Sequence, residues 1–164
     1  MSAPPLTTRH PVEADHARVV AAVTDWWPDG RGAAITLLLP RLFFQHFTKT
    51  SWIVEDETGE LRAFLIGFQS ADDPEVAYIH FVGVDPRLRG SGLGRELYER
   101  FFAEMRAAGC RRVKAITGPP NTTSQAFHRA MGFTLAGDVE IEGVRAYRDY
   151  DGPGEHRVAF SREL

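Results

Sequence analysis

Residues 84–94 read VDPRLRGSGLG: the end of an apolar run, an Asp-Pro pair, an arginine-bearing turn, and glycines at 90, 92 and 94. Glycines at alternate positions strip a turn of side chains and let its backbone come close to another group. Upstream, VAYIHFVGV (76–84) is nearly apolar on both faces, the pattern of a central strand. Downstream, GLGRELYERFFAEMRAAG sets Leu93, Leu97, Phe101, Met105 and Ala108 along one helical stripe, with Glu96 and Arg100 paired outside and Gly109 as the C-terminal cap. RRVKAIT (111–117) is the next strand. A strand, helix, strand order implies a right-handed parallel crossover, so strands 76–84 and 111–117 share a sheet and the glycines stand at the N-terminus of the crossover helix. Unbonded N–H groups at such a terminus attract anions, which makes Gly90 to Gly94, with Arg89 in front, a candidate anion cradle.

Working outward, Leu6–Arg9 reads as a short strand and HPVEADHARVVAAV as a helix through Ala17, Val20 and Val23. The loop TDWWPDGRG follows, then LLLPRLFFQHF, a helix kinked or started near Pro40. SWIVE and ELRAFLIGFQ are two strands joined by a Gly-containing turn, the start of an antiparallel meander. After GPPN, TTSQAFHRAM is a helix with Phe127, Ala130 and Met131 on its core face. GFTLAGDVEI opens another strand, and HRVAF (156–160) closes the chain after the turn DYDGPG. The class is α/β with a mixed sheet, antiparallel in its first half.

The 164 residues suffice for one domain, 1–164, that buries about two thirds of its unfolded surface. A net charge of -3 gives no electrostatic reason to bind nucleic acid or an anionic membrane, so an anion site has to be local. Cys110 is the only cysteine, which excludes an internal disulfide and fits a reducing cytosol. The N-terminal residues MSAPPLTTRH carry no apolar signal core and no membrane span is present, so the expected location is cytoplasmic. The histidines at 10, 16, 46, 80, 128 and 156 include no pair four apart, and no metal is expected.

Two common phosphate-binding loops fail on spacing. A P-loop needs Lys-Ser or Lys-Thr directly after its last glycine, and the only Lys-Thr, Lys49-Thr50, has no glycine before it. A dinucleotide fingerprint needs a third glycine where Leu97 stands. VDPRLRGSGLG instead resembles the acyl-CoA signature R-x-x-G-x-G/A of the GNAT superfamily of N-acetyltransferases, matched by Arg89, Gly92 and Gly94. NTTSQAFHRAMGF resembles a second signature of that family, N-x-x-[AS]-x-x-[LF]-Y-x-x-x-G-F, with Asn121, Ser124, Phe127, Gly132 and Phe133 in register. The resemblance covers roughly residues 50–135.

It implies a single-domain fold with a mixed central sheet of about six to seven strands flanked by about four helices. It also implies acetyl-CoA as co-substrate, no metal, and direct transfer to the primary amine of a small molecule or peptide in a ternary complex. The partners are then acetyl-CoA and an amine acceptor, with a homodimer left open. In the family the strand before the glycines splays from its parallel neighbour. By that analogy Val82, Gly83 and Val84 present backbone groups to the pantetheine arm, and the Val84 N–H polarises the thioester carbonyl. Arg89, Gly90, Ser91, Gly92, Leu93 and Gly94 hold the pyrophosphate, and Asn121 and Ser124 match cofactor-contacting positions; Asn121 also reads as a helix cap.

Two departures from the family pattern concern catalysis. The usual proton-donating tyrosine is replaced by His128, whose reference pKa of about 6.5 leaves it mostly neutral at neutral pH. No glutamate lies on the strand before the glycines or shortly before Asn121; strand alternation puts Tyr78, His80, Val82 and Val84 on one face, so His80 is the candidate base. A core histidine is the plainer reading of His80, and an amine arriving neutral needs no base. For the acceptor, Trp26 and Trp27 with Asp25 and Asp29 form a candidate aromatic and acidic rim, with core packing as the alternative. Tyr78 and Tyr150 are further candidates at its border. A non-catalytic acyl-CoA-binding domain of the same fold is the competing function.

Overall fold

The apolar run 76–84 forms β4 (Val76–Val84) in the computed structural model, which describes residues 4–27 and 31–164. Its first three residues pair in parallel with β5 (Arg112–Thr117): Val76 with Arg112, Ala77 with Val113, Tyr78 with Lys114. This is the parallel pair expected on either side of the helix α4 (Leu93–Ala107). Registered pairing between the two strands spans those three residue pairs, whereas β5 pairs along six residues with β9 (Val158–Glu163) on its other side.

The chain divides into two compact units, one made of the residues up to Phe68 and Ile79–Glu104, the other of Gln69–Tyr78 and Met105–Leu164. The first holds β1 (Leu6–Arg9), α1 (Asp15–Trp26), α2 (Gly32–Thr36), α3 (Leu42–His46), β2 (Trp52–Asp56), β3 (Leu61–Gln69, all but its last residue), the later part of β4, and most of α4. Hydrogen-bonded neighbours run β1-β2-β3-β4. Its core joins Val19, Val23 and Trp26 of α1 to Leu39, Phe44, Ile53, Leu61, Phe64 and Ile66. Each such side chain contributes about 1.5–3 kcal/mol on burial. α1 runs on through Thr24, Asp25 and Trp26, where a loop was expected, because Trp26 continues the stripe of Val19 and Val23. Asp15, 3% exposed, ties β1 to this helix by accepting two bonds from Arg9, at 2.8 and 2.9 Å, and one from the Val12 N–H at 2.7 Å. The helix expected around Pro40 is instead the two one-turn helices α2 and α3, separated at the proline, with a 3-10 turn at Thr48–Thr50.

The second unit continues the ladder as β4-β5-β9-β6, giving seven strands, with β6 (Thr134–Ala136) antiparallel to β9. Packed with these are α5 (Thr122–Ala130) and a separate hairpin of β7 (Val139–Ile141) and β8 (Val144–Ala146). The strand expected from 132 to 141 is therefore broken. Its break is at Gly137, where an added Cβ would lie 2.1 Å from the Ala146 backbone nitrogen. The hairpin tip, Glu142-Gly143, takes positive φ at both residues, 52° and 80°, as a two-residue turn matched to strand twist requires. On α5 the buried face carries Gln125 and His128, and Ala130 is exposed, a correction to the expected Phe127, Ala130, Met131 stripe in which Met131 alone is fully buried.

Because the Gly137 contact is with backbone, it cannot be relieved by a rotamer change. Gly137→Ala is expected to cost about 1–3 kcal/mol, the range for overpacking. Urea denaturation checks this, and Ala136→Gly on the exposed side serves as the control.

Candidate functional site

Asp85 ends β4 and caps a short 3-10 turn, Pro86–Leu88, with its carboxylate accepting the Arg87 N–H at 2.9 Å and Pro86 at the first turn position. The turn absorbs the Arg89 N–H, on Pro86 O at 3.5 Å, and the Ser91 N–H, on Leu88 O at 3.2 Å. Gly90 and Gly92 then take φ of 80° and 90°, which other residues adopt only with strain. Entering α4, the first N–H to find a main-chain acceptor is that of Glu96, on Gly92 O at 2.9 Å. Among the described residues, the N–H groups of Gly90, Gly92, Leu93, Gly94 and Arg95 have no backbone partner. That run of donors at a helix start suits a phosphate. The Ser91 hydroxyl turns inward to Leu88 O at 2.6 Å.

Arg89 is exposed, and its guanidinium carbon lies 5.8 Å from the ring centroid of Trp27. Trp27 in turn meets Phe81 edge-on at 5.8 Å. The two tryptophans expected to act together thus differ. Trp26 is 6% exposed and stacked on Phe64 at 6.1 Å, a core residue and no part of a rim, whereas Trp27 supports Arg89. Asp29 lies outside the described residues.

On β4, Phe81 stacks on Phe64 at 5.6 Å while its neighbour His80 stacks on Phe43 at 4.3 Å. Phe43 and Phe81 both pack against the cluster that holds Phe64. Along β4 the buried Ala77, Ile79 and Gly83 alternate with the half-buried Tyr78, His80, Val82 and Val84, as expected for one face. Gly83 is glycine for a packing reason: a Cβ there would lie 2.5 Å from Cε1 of Phe64, which is fully buried and held between Trp26 and Phe81. Val82 and Val84 are half-buried. His80 Nε2 is within hydrogen-bonding range of the Leu38 carbonyl, so it carries the proton and Nδ1 carries the lone pair. Burial lowers its pKa, partly offset by that bond, and the ring is neutral at neutral pH.

In the second unit Asn121 caps α5, its Oδ1 accepting the Ser124 N–H at 3.1 Å, which leaves its amide NH2 for a ligand. The Ser124 hydroxyl lies 3.3 Å from His128 Nδ1. His128, 5% exposed, stacks on Phe160 at 4.0 Å and meets Phe133 edge-on at 5.0 Å. Its Nδ1–H donates to Ser124 O at 2.8 Å, and burial lowers its pKa to about 4. The Nδ1 proton is thus held on the Ser124 carbonyl. Tyr78 and Tyr150 are brought into one electrostatic neighbourhood: burial first, then Tyr150 and Asp151, push the Tyr78 phenol up to about 12, with Arg157 opposing. Tyr150 itself is half exposed and 6.1 Å from Tyr147.

A hollow of about 250 Å³ in this unit, lined by Pro119, Pro120, Ile141, Glu142 and His156 among others, had no counterpart in the sequence reading. His156 Nδ1 accepts the Asp149 N–H at 2.9 Å, and Arg157 is paired with Asp151 at 2.9 Å and Glu155 at 3.0 Å. No spacing rule joins residues 119, 142 and 156, so only the folded chain reveals them. Among the described residues, no group of three or more His, Cys, Asp or Glu side chains is placed to hold a metal, and no helix is long and apolar enough to cross a membrane.

The model of the acetyltransferase (GNAT) family matches residues 20–133. The chain belongs to that family. A 5-NmdU N-acetyltransferase of Pseudomonas phage PaMx11 is 32% identical over 101 residues, 60% of this chain and 69% of the phage protein. An L-2,4-diaminobutyric acid acetyltransferase of Virgibacillus pantothenticus is 30% identical over 112 residues, 68% of this chain and 69% of its relative. In fold, the acetyltransferase resembles the diaminobutyrate acetyltransferase of Paenibacillus lautus solved with its substrate and coenzyme A, at a TM-score of 0.68 and 20% identity, covering 97% of this chain and 95% of that one. A phosphinothricin acetyltransferase of Sinorhizobium meliloti with acetyl-CoA matches at a TM-score of 0.69 and 20% identity, covering 97% and 88%. The protein is an acetyl-CoA-dependent N-acetyltransferase of GNAT fold.

The depressed His128 pKa has a thermodynamic sign in this acetyltransferase. A folded pKa of about 4, below an unfolded value near 6.5, means that the unfolded chain binds more protons between the two. His128 therefore contributes its full stabilisation above pH 6.5, and on the order of 3 kcal/mol is lost as pH falls toward 4. In His128→Phe, which keeps an aromatic ring on Phe160, that acid-side decline should flatten in thermal or urea melts. The pH-rate profile between pH 6 and 9 should keep its shape.

Proposed function

We propose that this N-acetyltransferase acylates the primary amine of a small molecule, acting as a single domain over residues 1–164. The observation that carries the donor half is the set of N–H groups of Gly90, Gly92, Leu93, Gly94 and Arg95, without a backbone partner among the described residues, behind the exposed Arg89. These residues hold the pyrophosphate of acetyl-CoA, which supplies the activated acyl carbon. The backbone of Val82, Gly83 and Val84 lines the pantetheine arm, and the Val84 N–H polarises the thioester carbonyl.

For the acceptor half, the amine nitrogen bonds to the thioester carbon as the C–S bond breaks, CoA leaves as a thiolate that takes a proton from water, and His80 takes the proton that the nitrogen loses. A neutral ring with Nε2–H anchored on Leu38 and its lone pair on Nδ1 supports this reading, as does its depressed pKa, which keeps the base form present below the usual imidazole range. The hollow beside Asn121 supports a small acceptor. Pro119, Pro120 and Ile141 offer apolar walls, and the Glu142 carboxylate, with no ion-pair partner among the described residues, is a negative charge that attracts an ammonium group. The Virgibacillus relative is by its name an acetyltransferase of a small diamino acid, L-2,4-diaminobutyric acid, and the same chemical class is proposed here. In the same unit as that hollow, Tyr78 and Tyr150 border the acceptor. With one cysteine, buried Cys110, the chain suits a cytoplasmic location.

A panel of small diamines, amino acids and short peptides, assayed with acetyl-CoA by release of free thiol, tests the reading. Turnover is expected for a small amine. Acetyl-CoA binding without turnover of any amine would establish the non-catalytic alternative. In His80→Gln, kcat should fall roughly a hundredfold with acetyl-CoA affinity unchanged, the size expected for loss of a general base. An unaltered acidic limb in that variant's pH-rate profile would remove His80 from the mechanism.

A further inference from the structure

The donors of the cradle are useful only if the loop is already in place when an anion arrives, since ordering a glycine-bearing loop costs backbone entropy. We propose that Asp85 is the positioning residue that meets this requirement, a role that rests on reading Gly90 to Arg95 as the pyrophosphate cradle.

Asp85 is 1% exposed, and every polar atom it has is engaged within the first unit. Its N–H donates to Arg62 O at 2.8 Å, which fixes the end of β4 to β3. Oδ1 accepts from the Arg87 N–H at 2.9 Å and from Arg87 Nε at 3.1 Å. Oδ2 accepts from Arg87 Nη2 at 2.7 Å and Arg62 Nη1 at 2.8 Å. Its carbonyl accepts the Leu88 N–H at 2.8 Å, and Leu88 O then accepts both the Ser91 N–H and the Ser91 hydroxyl. A continuous chain of bonds thus runs from β3 through Asp85 and Leu88 to the residue before Gly92. Arg62 is itself braced by Asp56, at 2.6 and 2.9 Å, and by Glu60 at 2.8 Å, so the anchor is rigid on its far side. A buried carboxylate between two guanidinium groups is specific in geometry, and loss of one partner leaves the others uncompensated.

The same contacts sort the two arginines of the motif. Arg87 sends Nε and Nη2 to Asp85, so its charge is spent on the anchor. Arg89 rests on Trp27 with no carboxylate partner among the described residues and is the loop's cation for a phosphate.

The test compares dissociation constants for CoA, by calorimetry, and for pantetheine, which lacks the pyrophosphate, by NMR titration to millimolar concentration. Wild type, Asp85→Asn and Asp85→Ala are measured. Asp85→Ala should weaken CoA at least tenfold and change pantetheine less than twofold. Asp85→Asn, which keeps an oxygen for the Arg87 N–H but loses the charge, should fall between. Should Asp85→Ala not fold, the Asn variant carries the comparison with the same direction. Equal weakening of both ligands would reduce Asp85 to a general stabilising residue, and unchanged CoA affinity would remove any role. If wild type itself binds pantetheine as tightly as CoA, the cradle reading falls instead.

Discussion

A loop that leaves backbone N–H groups without partners is unstable on its own terms, and the first unit is organised around supporting one. Each unbonded donor from Gly90 to Arg95 is a group that a helix start would ordinarily cap or expose to water. The support comes from both ends. Asp85 bonds the loop's entry to β3 through Arg62, and α4 carries its exit, with Leu93, Leu97, Phe101 and Met105 buried along one face. Gly83, one residue before the strand ends, lets the fully buried Phe64 lie against the backbone of β4. The packing of the core and the placing of the donors are therefore one problem, solved by neighbouring residues of one strand and one turn.

His80 and His128 show how burial assigns different work to the same side chain. Both rings are stacked on a phenylalanine, both have pKa values lowered by desolvation, and both bond a backbone carbonyl. His128 is enclosed by Phe133, Phe160 and Ser124, and it contributes packing and a pH-dependent share of stability. His80 sits half-buried on the strand that leads to the cradle, its Nε2–H on the Leu38 carbonyl, and is the base we propose.

Much of the fold was legible in the order of elements. The alternation of apolar runs with Gly and Pro punctuation marked α4, β2, β3, β4 and β5 within a few residues of their observed bounds, because each is long enough for its period to show. Short elements were not. Three-residue strands such as β7 and β8 carry no period, and the break at Gly137 depends on the backbone of Ala146, nine residues on in sequence. Strand alternation grouped Tyr78, His80, Val82 and Val84, all half-buried between the buried Ala77, Ile79 and Gly83, but it could not show that His80 stacks on Phe43, which is remote in sequence. Asp85 was readable in part: Asp followed by Pro is a turn-capping signal, but its arginine partner at position 62 is remote in sequence.

The amino-acid sequence by itself determined the α/β class, the parallel strand pair around a helix, and the glycine turn with Arg89 that resembles the GNAT family's acyl-CoA signature. These are local patterns, set by spacing along the chain and by the conformations that glycine and proline allow. Only tertiary structure decided that Trp26 is core while Trp27 backs Arg89, that His128 is a neutral buried ring, and that Pro119, Glu142 and His156 border one hollow. Burial and ionisation depend on which distant residues exclude water from a group, and that is a property of the packed chain and not of any short stretch of it.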